Sequence, residues 1–131
     1  MILHNFLAEK LQADRKKIAL TFGVNLFVGF MPAACKEGFL IPINETLYED
    51  NYTEIVDGRV QVLFRSGDPL ASYNMGIHAR KVLTGFEMGT LNNDGIRILK
   101  CIPSNMPFVY PRGETGLYEA SVNFMVTAAY A

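Results

Sequence analysis

A chain of 131 residues, half of them apolar and 19% charged, is long enough to bury roughly two thirds of its unfolded surface around one core, and too apolar to be disordered. Twelve basic against thirteen acidic residues leave a formal charge of −1, so no overall field draws the chain onto nucleic acid or an anionic membrane. No apolar run is long enough to span a bilayer, and Met1 to Phe6 lacks the basic region and cleavage site of a secretory signal, which implies synthesis in a cytoplasm.

Ile2, Leu3, Phe6, Leu7 and Leu11 recur at helical spacing with Glu9, Lys10 and Gln12 on the other side, predicting a helix from Ile2 to about Lys17. Asn25 to Phe30 is short and aromatic and is stopped by Met31-Pro32, which reads as a strand. Phe39 to Ile43 is a second strand, and Pro42, which has no ladder donor, places it at a sheet edge. Asn44 to Gly58 is rich in Asn, Asp, Glu and Tyr, lacks steady periodicity, and reads as a long loop. Arg59 to Arg65 then alternates, Val60, Val62 and Phe64 facing one way and Arg59, Gln61 and Arg65 the other, with Leu63 as the exception.

Ser66-Gly67-Asp68-Pro69 starts a second helix, with Asp68 as cap and Pro69 in the first turn, running to Leu83 before Gly85. Asn92-Asn93-Asp94-Gly95 is a turn, after which Ile96, Ile98 and Ile102 alternate with Arg97, Leu99 and Cys101 up to Pro103. A loop from Ser104 to Gly116 leads to a last strand, Leu117 to Thr127. In it Tyr118, Ala120, Val122, Phe124 and Val126 share one face, and Met125 interrupts the polar one. The order α-β-β-β-α-β-β describes one α+β domain over residues 1–131, two helices packed on an antiparallel or mixed sheet.

Bond-making chemistry finds few candidates. His4 and His78 have no second ligand at metal-binding spacing and read as surface or helix-packing histidines. Ser66 lacks the Gly-x-Ser-x-Gly elbow of a nucleophile and is explained by helix capping. Gly23, Gly29 and Gly38 form no phosphate cradle, and Cys35 and Cys101 read as buried free thiols. The acidic residues from Glu45 to Asp57 depart from calcium-loop spacing, so no catalytic residue, metal or cofactor is expected. Arg15-Lys16-Lys17 offers phosphate attraction without interleaved aromatics, which suits passing contact with DNA and not dedicated recognition.

Two features point instead to assembly. Every charged residue from Glu37 to Asp57 is acidic (Glu37, Glu45, Glu49, Asp50, Glu54, Asp57), a segregation that can orient one subunit against another. Aromatic residues also fall outside the predicted core strands, Tyr48 and Tyr52 in the acidic segment and Phe108 and Tyr110 before the last strand.

Gly58 to Arg65, the helix from Pro69 to Leu83, Ile96 to Leu99, Pro107-Phe108, Arg112, and Leu117 to Phe124 together resemble the tail terminator, or tail completion, proteins of long-tailed bacteriophages. Some of these carry the label minor capsid protein. Asn25 to Pro32 is similar to that family's opening strand, and Asn44 to Gly58 is least like it. The resemblance implies a non-enzymatic virion protein at the head-proximal end of the tail. It would form a ring, usually of six copies, that caps the tail tube and ends its polymerisation. Its partners would be copies of itself, the tube protein and a head-completion or connector protein, with DNA only passing through the ring. Glu45, Tyr48, Glu49, Asp50, Tyr52, Phe108, Tyr110 and Arg112 are the expected interface residues. The alternative is a head-completion or connector subunit on the portal side.

Overall fold

In the computed structural model the apolar spacing of the first segment produces α1 (Ile2–Ala13), which buries Phe6, Leu7, Ala8 and Leu11. The structure describes residues 2–14, 18–43, 47–50, 55–85 and 96–130. Arg15-Lys16-Lys17, Glu45, Tyr52, Glu54 and the Asn92 to Gly95 turn lie outside the described residues.

Among the described residues seven strands follow the predicted chain order, with two short additions. They are β1 (Leu26–Val28), β2 (Gly38–Ile41), β3 (Leu47–Asp50), β4 (Ile55–Ser66), β5 (Ile96–Pro103), β6 (Phe108–Pro111) and β7 (Tyr118–Tyr130), with α2 (Pro69–Gly85) after β4. The spatial order is β1-β2-β4-β7-β5, with β3 also paired to β4 and β6 to β7. Among the described strand pairs β1 and β2 run parallel and the rest antiparallel, so the sheet is mixed and the fold α+β.

The long central pair β4 and β7, in register from Ile55↔Ala129 to Ser66↔Tyr118, organises everything else. On one face Val60, Val62 and Phe64 of β4 meet Val122, Phe124, Val126 and Ala128 of β7 beneath α1 and α2. Each large side chain buried there contributes roughly 1.5–3 kcal/mol relative to exposure. The α2 start follows the capping chemistry. Asp68 Oδ1 accepts from the Leu70 amide at 3.1 Å, and the Ser66 hydroxyl bonds the Asp68 carbonyl at 2.8 Å and Ser72 Oγ at 2.6 Å. Ser66 is therefore a buried structural hydroxyl.

Four local expectations are corrected. Pro42 does not put β2 at an edge: β2 lies between β1 and β4, and Pro42 falls one residue beyond the strand, where it removes no ladder bond. Part of the 44–58 loop is strand, since Leu47↔Gly58 to Asp50↔Ile55 forms a hairpin continuing β4. Part of the 104–116 loop is also strand, because β6 pairs with β7 from Phe108↔Ser121 to Pro111↔Tyr118. Within β5 the alternation is broken by a bulge between Ile98 and Lys100, so Ile98 and Cys101 are buried while Ile102 is turned outward.

The gap between β5 and β6 is bridged by Ser104 and Asn105, and the Ser104 amide and hydroxyl both donate to the Asn123 carbonyl, at 2.8 and 3.1 Å. Asn105 Oδ1 accepts from the Asn123 amide at 2.8 Å and its Nδ2 donates to the Ser121 carbonyl at 3.3 Å, so β7 backbone stays bonded between the end of β5 and the start of β6. Gly38 is required by close approach. A Cβ there would lie 2.7 Å from the Asn25 carbonyl oxygen, which accepts the Phe39 amide.

Candidate functional site

The sheet face turned away from the helices holds the surface with most to offer a partner. Residues directly opposite on antiparallel strands share a face, so the register sets its layout. One row runs Tyr110, Glu119, Arg65, Gly38, and the next Phe108, Ser121, Leu63, Leu40. Further along come Ile102, Met125, Arg59 and then Lys100, Thr127, Asp57.

At the first row this face is closed. Arg65 Nε donates to Glu119 Oε2 at 3.2 Å, and Arg65 Nη1 donates to the carbonyls of Pro32 at 3.1 Å and Cys35 at 3.0 Å. The segment after β1 is thereby tied across the end of the sheet. Arg112 Nε stands 3.8 Å from Glu119 Oε1, and Tyr110 hydrogen-bonds the same carboxylate. Burial, then the Glu119 charge and that hydrogen bond, push the Tyr110 phenol above its ordinary pKa.

Beyond that row the face opens. Phe108 is 66% exposed, Ile102 48%, Leu99 43% and Met125 37%, with Arg59, Arg97 and Lys100 exposed among them. Asp57 is also exposed and accepts from Thr127 Oγ1 at 3.0 Å. Apolar side chains rimmed by charge fit a contact surface and not a catalytic cleft.

The expected interface residues are thus divided. Phe108 is presented to solvent, whereas Tyr110 and Arg112 are committed to Glu119 inside their own subunit. Tyr48, Glu49 and Asp50 sit in β3, in register with Asp57, Val56 and Ile55, and Glu45 and Tyr52 lie outside the described residues. Sequence reasoning placed Leu99 on the face of Arg97 but missed Ile102 as an exposed group, because the bulge is not legible in the alternation. Leu63 and Met125, the two apolar interruptions of polar faces, were the available signal.

The histidines serve packing. His78 Nε2 lies 3.5 Å from Asp14 Oδ1, joining α2 to the end of α1, and His4 is buried without a hydrogen-bond partner for either ring nitrogen. Burial and, secondarily, the amino-terminal charge lower the His4 pKa. Cys35 is half-buried and Cys101 buried, both as free thiols, so the expectation of burial holds fully only for Cys101. Among the described residues no group of three or more His, Cys, Asp or Glu is arranged to hold a metal.

The family model for the bacteriophage tail terminator protein matches residues 7–130. The chain belongs to that family. No curated protein matches the tail terminator chain. Membership makes this protein a structural component of the phage tail and places it in the virion with other tail and head proteins. No helix among the described residues is long and apolar enough to cross a membrane.

Proposed function

We propose that this tail terminator assembles into a ring, of six copies as the resemblance implies, that seats on the last ring of the tail tube. There it stops further tube growth and offers its other side to the head-completion or connector protein, while DNA only passes through. The observation that carries this reading is the open sheet face, where Phe108, Ile102, Leu99 and Met125 stand exposed beside Arg59. Desolvating such a patch favours association, and the charges around it set orientation.

Within this reading Phe108 and the acidic segment of Glu45, Tyr48, Glu49, Asp50 and Tyr52 contact the tube or the adjacent subunit. Tyr110 and Arg112 act indirectly, holding Glu119 and so positioning the strand that presents Phe108. Electron microscopy of particles made without the protein tests it. The expected picture is tails of abnormal length that fail to join heads; tails of normal length joined to heads would overturn it.

A further inference from the structure

Beyond the open face, the sheet has unpaired strand edges. Among the described residues β3 pairs only with β4 and β5 only with β7, so the sheet portion β3-β4-β7-β5 ends in two free edges. A free edge is a row of unmatched amides and carbonyls ready to accept another strand.

The two edges carry opposite charge. β3, Leu47-Tyr48-Glu49-Asp50, contains two acids and no base, and β5, Ile96 to Pro103, contains Arg97 and Lys100 and no acid. Both basic residues are exposed. The other outer strands, β1 (Leu26-Phe27-Val28) and β6 (Phe108 to Pro111), contain no charged residue. Register sharpens the match: Asp50, Ile55, Ala129 and Arg97 form one continuous row, with Asp50 at one edge and Arg97 at the other.

We infer that neighbouring copies join edge to edge, the β3 edge of one pairing with the β5 edge of the next, so that their sheets become continuous around the ring. This rests on the ring reading above and names the surfaces that close it. Like charges directly opposite one another destabilise a strand pair and opposite charges favour it. Pairing β5 with β5 sets Arg97 and Lys100 against themselves, and β3 with β3 does the same for Glu49 and Asp50. Only the unlike pairing is favoured, and it is head-to-tail, the type of contact that closes into a ring when repeated by rotation. Direction agrees as well. Each step along β3, β4, β7 and β5 is antiparallel, so a copy rotated about an axis along the strands brings its β3 antiparallel to β5.

Zero-length carbodiimide coupling on intact phage particles, read by mass spectrometry, tests the contact. Within one subunit β3 and β5 are three strand spacings apart, about 14 Å. A Glu49–Lys100 or Asp50–Lys100 linkage therefore reports two copies, and Asp57–Lys100, from one face of one sheet, serves as the internal control. The second arm supplies variants to phage lacking the protein: Asp50→Arg and Arg97→Asp each lose tail capping, and the Asp50→Arg/Arg97→Asp pair regains it. Circular dichroism identifies any variant that merely unfolds, and the linkage on wild-type particles needs no variant. Absence of the inter-edge linkage while the control forms, or folded single variants that still cap tails, overturns the edge contact. The ring reading fails separately, if particles hold a single copy at the head-proximal end of the tail.

Discussion

Arg65 and Glu119 face each other across β4 and β7 at 3.2 Å, with 2% and 9% of their side chains exposed. Two backbone carbonyls also accept from the guanidinium, while Tyr110 hydrogen-bonds the carboxylate and Arg112 stands 3.8 Å from it. A buried pair of this kind is sensitive to losing one member, because the other is left charged and dry. Glu119→Ala is expected to destabilise the fold by about 3–5 kcal/mol, read as a drop in the urea midpoint. Arg65→Met combined with Glu119→Leu should recover much of that loss. Equal stability of Glu119→Ala and wild type would mean the pair is solvated in solution.

Gly38 gives a backbone test of the β1–β2 junction. Its missing Cβ is what lets Asn25 approach, and the group met at 2.7 Å is main chain, which cannot swing aside as a side-chain tip would. Gly38→Ala should cost about 1–3 kcal/mol. The loss should appear in thermal unfolding, and amide exchange at Phe39, whose N–H bonds the Asn25 carbonyl, should speed up.

His4 makes stability depend on pH. Its folded pKa lies below the ordinary 6.5, so below that value the unfolded chain binds a proton that the folded chain resists. Stability is therefore full above about pH 6.5 and declines as pH falls through the window between the unfolded and folded values. His4→Leu should flatten unfolding midpoints between neutral and mildly acidic pH. An unchanged slope would assign the dependence to other groups.

Cys101 should be inert in the native protein. Burial pushes its thiol up to about 12, so almost no thiolate exists at neutral pH, and the side chain is shielded behind the sheet. Timed alkylation followed by mass spectrometry should label Cys35 first and Cys101 only upon unfolding. Equal rates would show that the β5 end of the core opens readily.

Phe108 separates assembly from folding. Because most of its ring meets solvent, Phe108→Asp should change stability by no more than about 0.5 kcal/mol. The same change on the proposed contact surface should leave tails uncapped in complementation. A folded variant that caps tails normally would remove Phe108 from the interface.

The helices and the core strands were legible in the residues themselves. Asp68 and Pro69 mark the start of α2 by chemistry local to one turn, and alternation through β4 and β7 assigns the buried face because side chains on a strand must point to opposite sides. What the linear order left open was every property set by a neighbour distant in sequence. Polar, non-periodic residues 47–50 become strand because β4 offers them a ladder, Phe108 to Pro111 does so against β7, and a bulge at Leu99 reverses the facing of Ile102. The burial of Arg65 against Glu119, and the opposite charges at the two free edges, exist only once residues 54 and 47 positions apart respectively share one sheet. Propensity acts along the chain, whereas pairing, burial and the choice of exposed surface are decided across it.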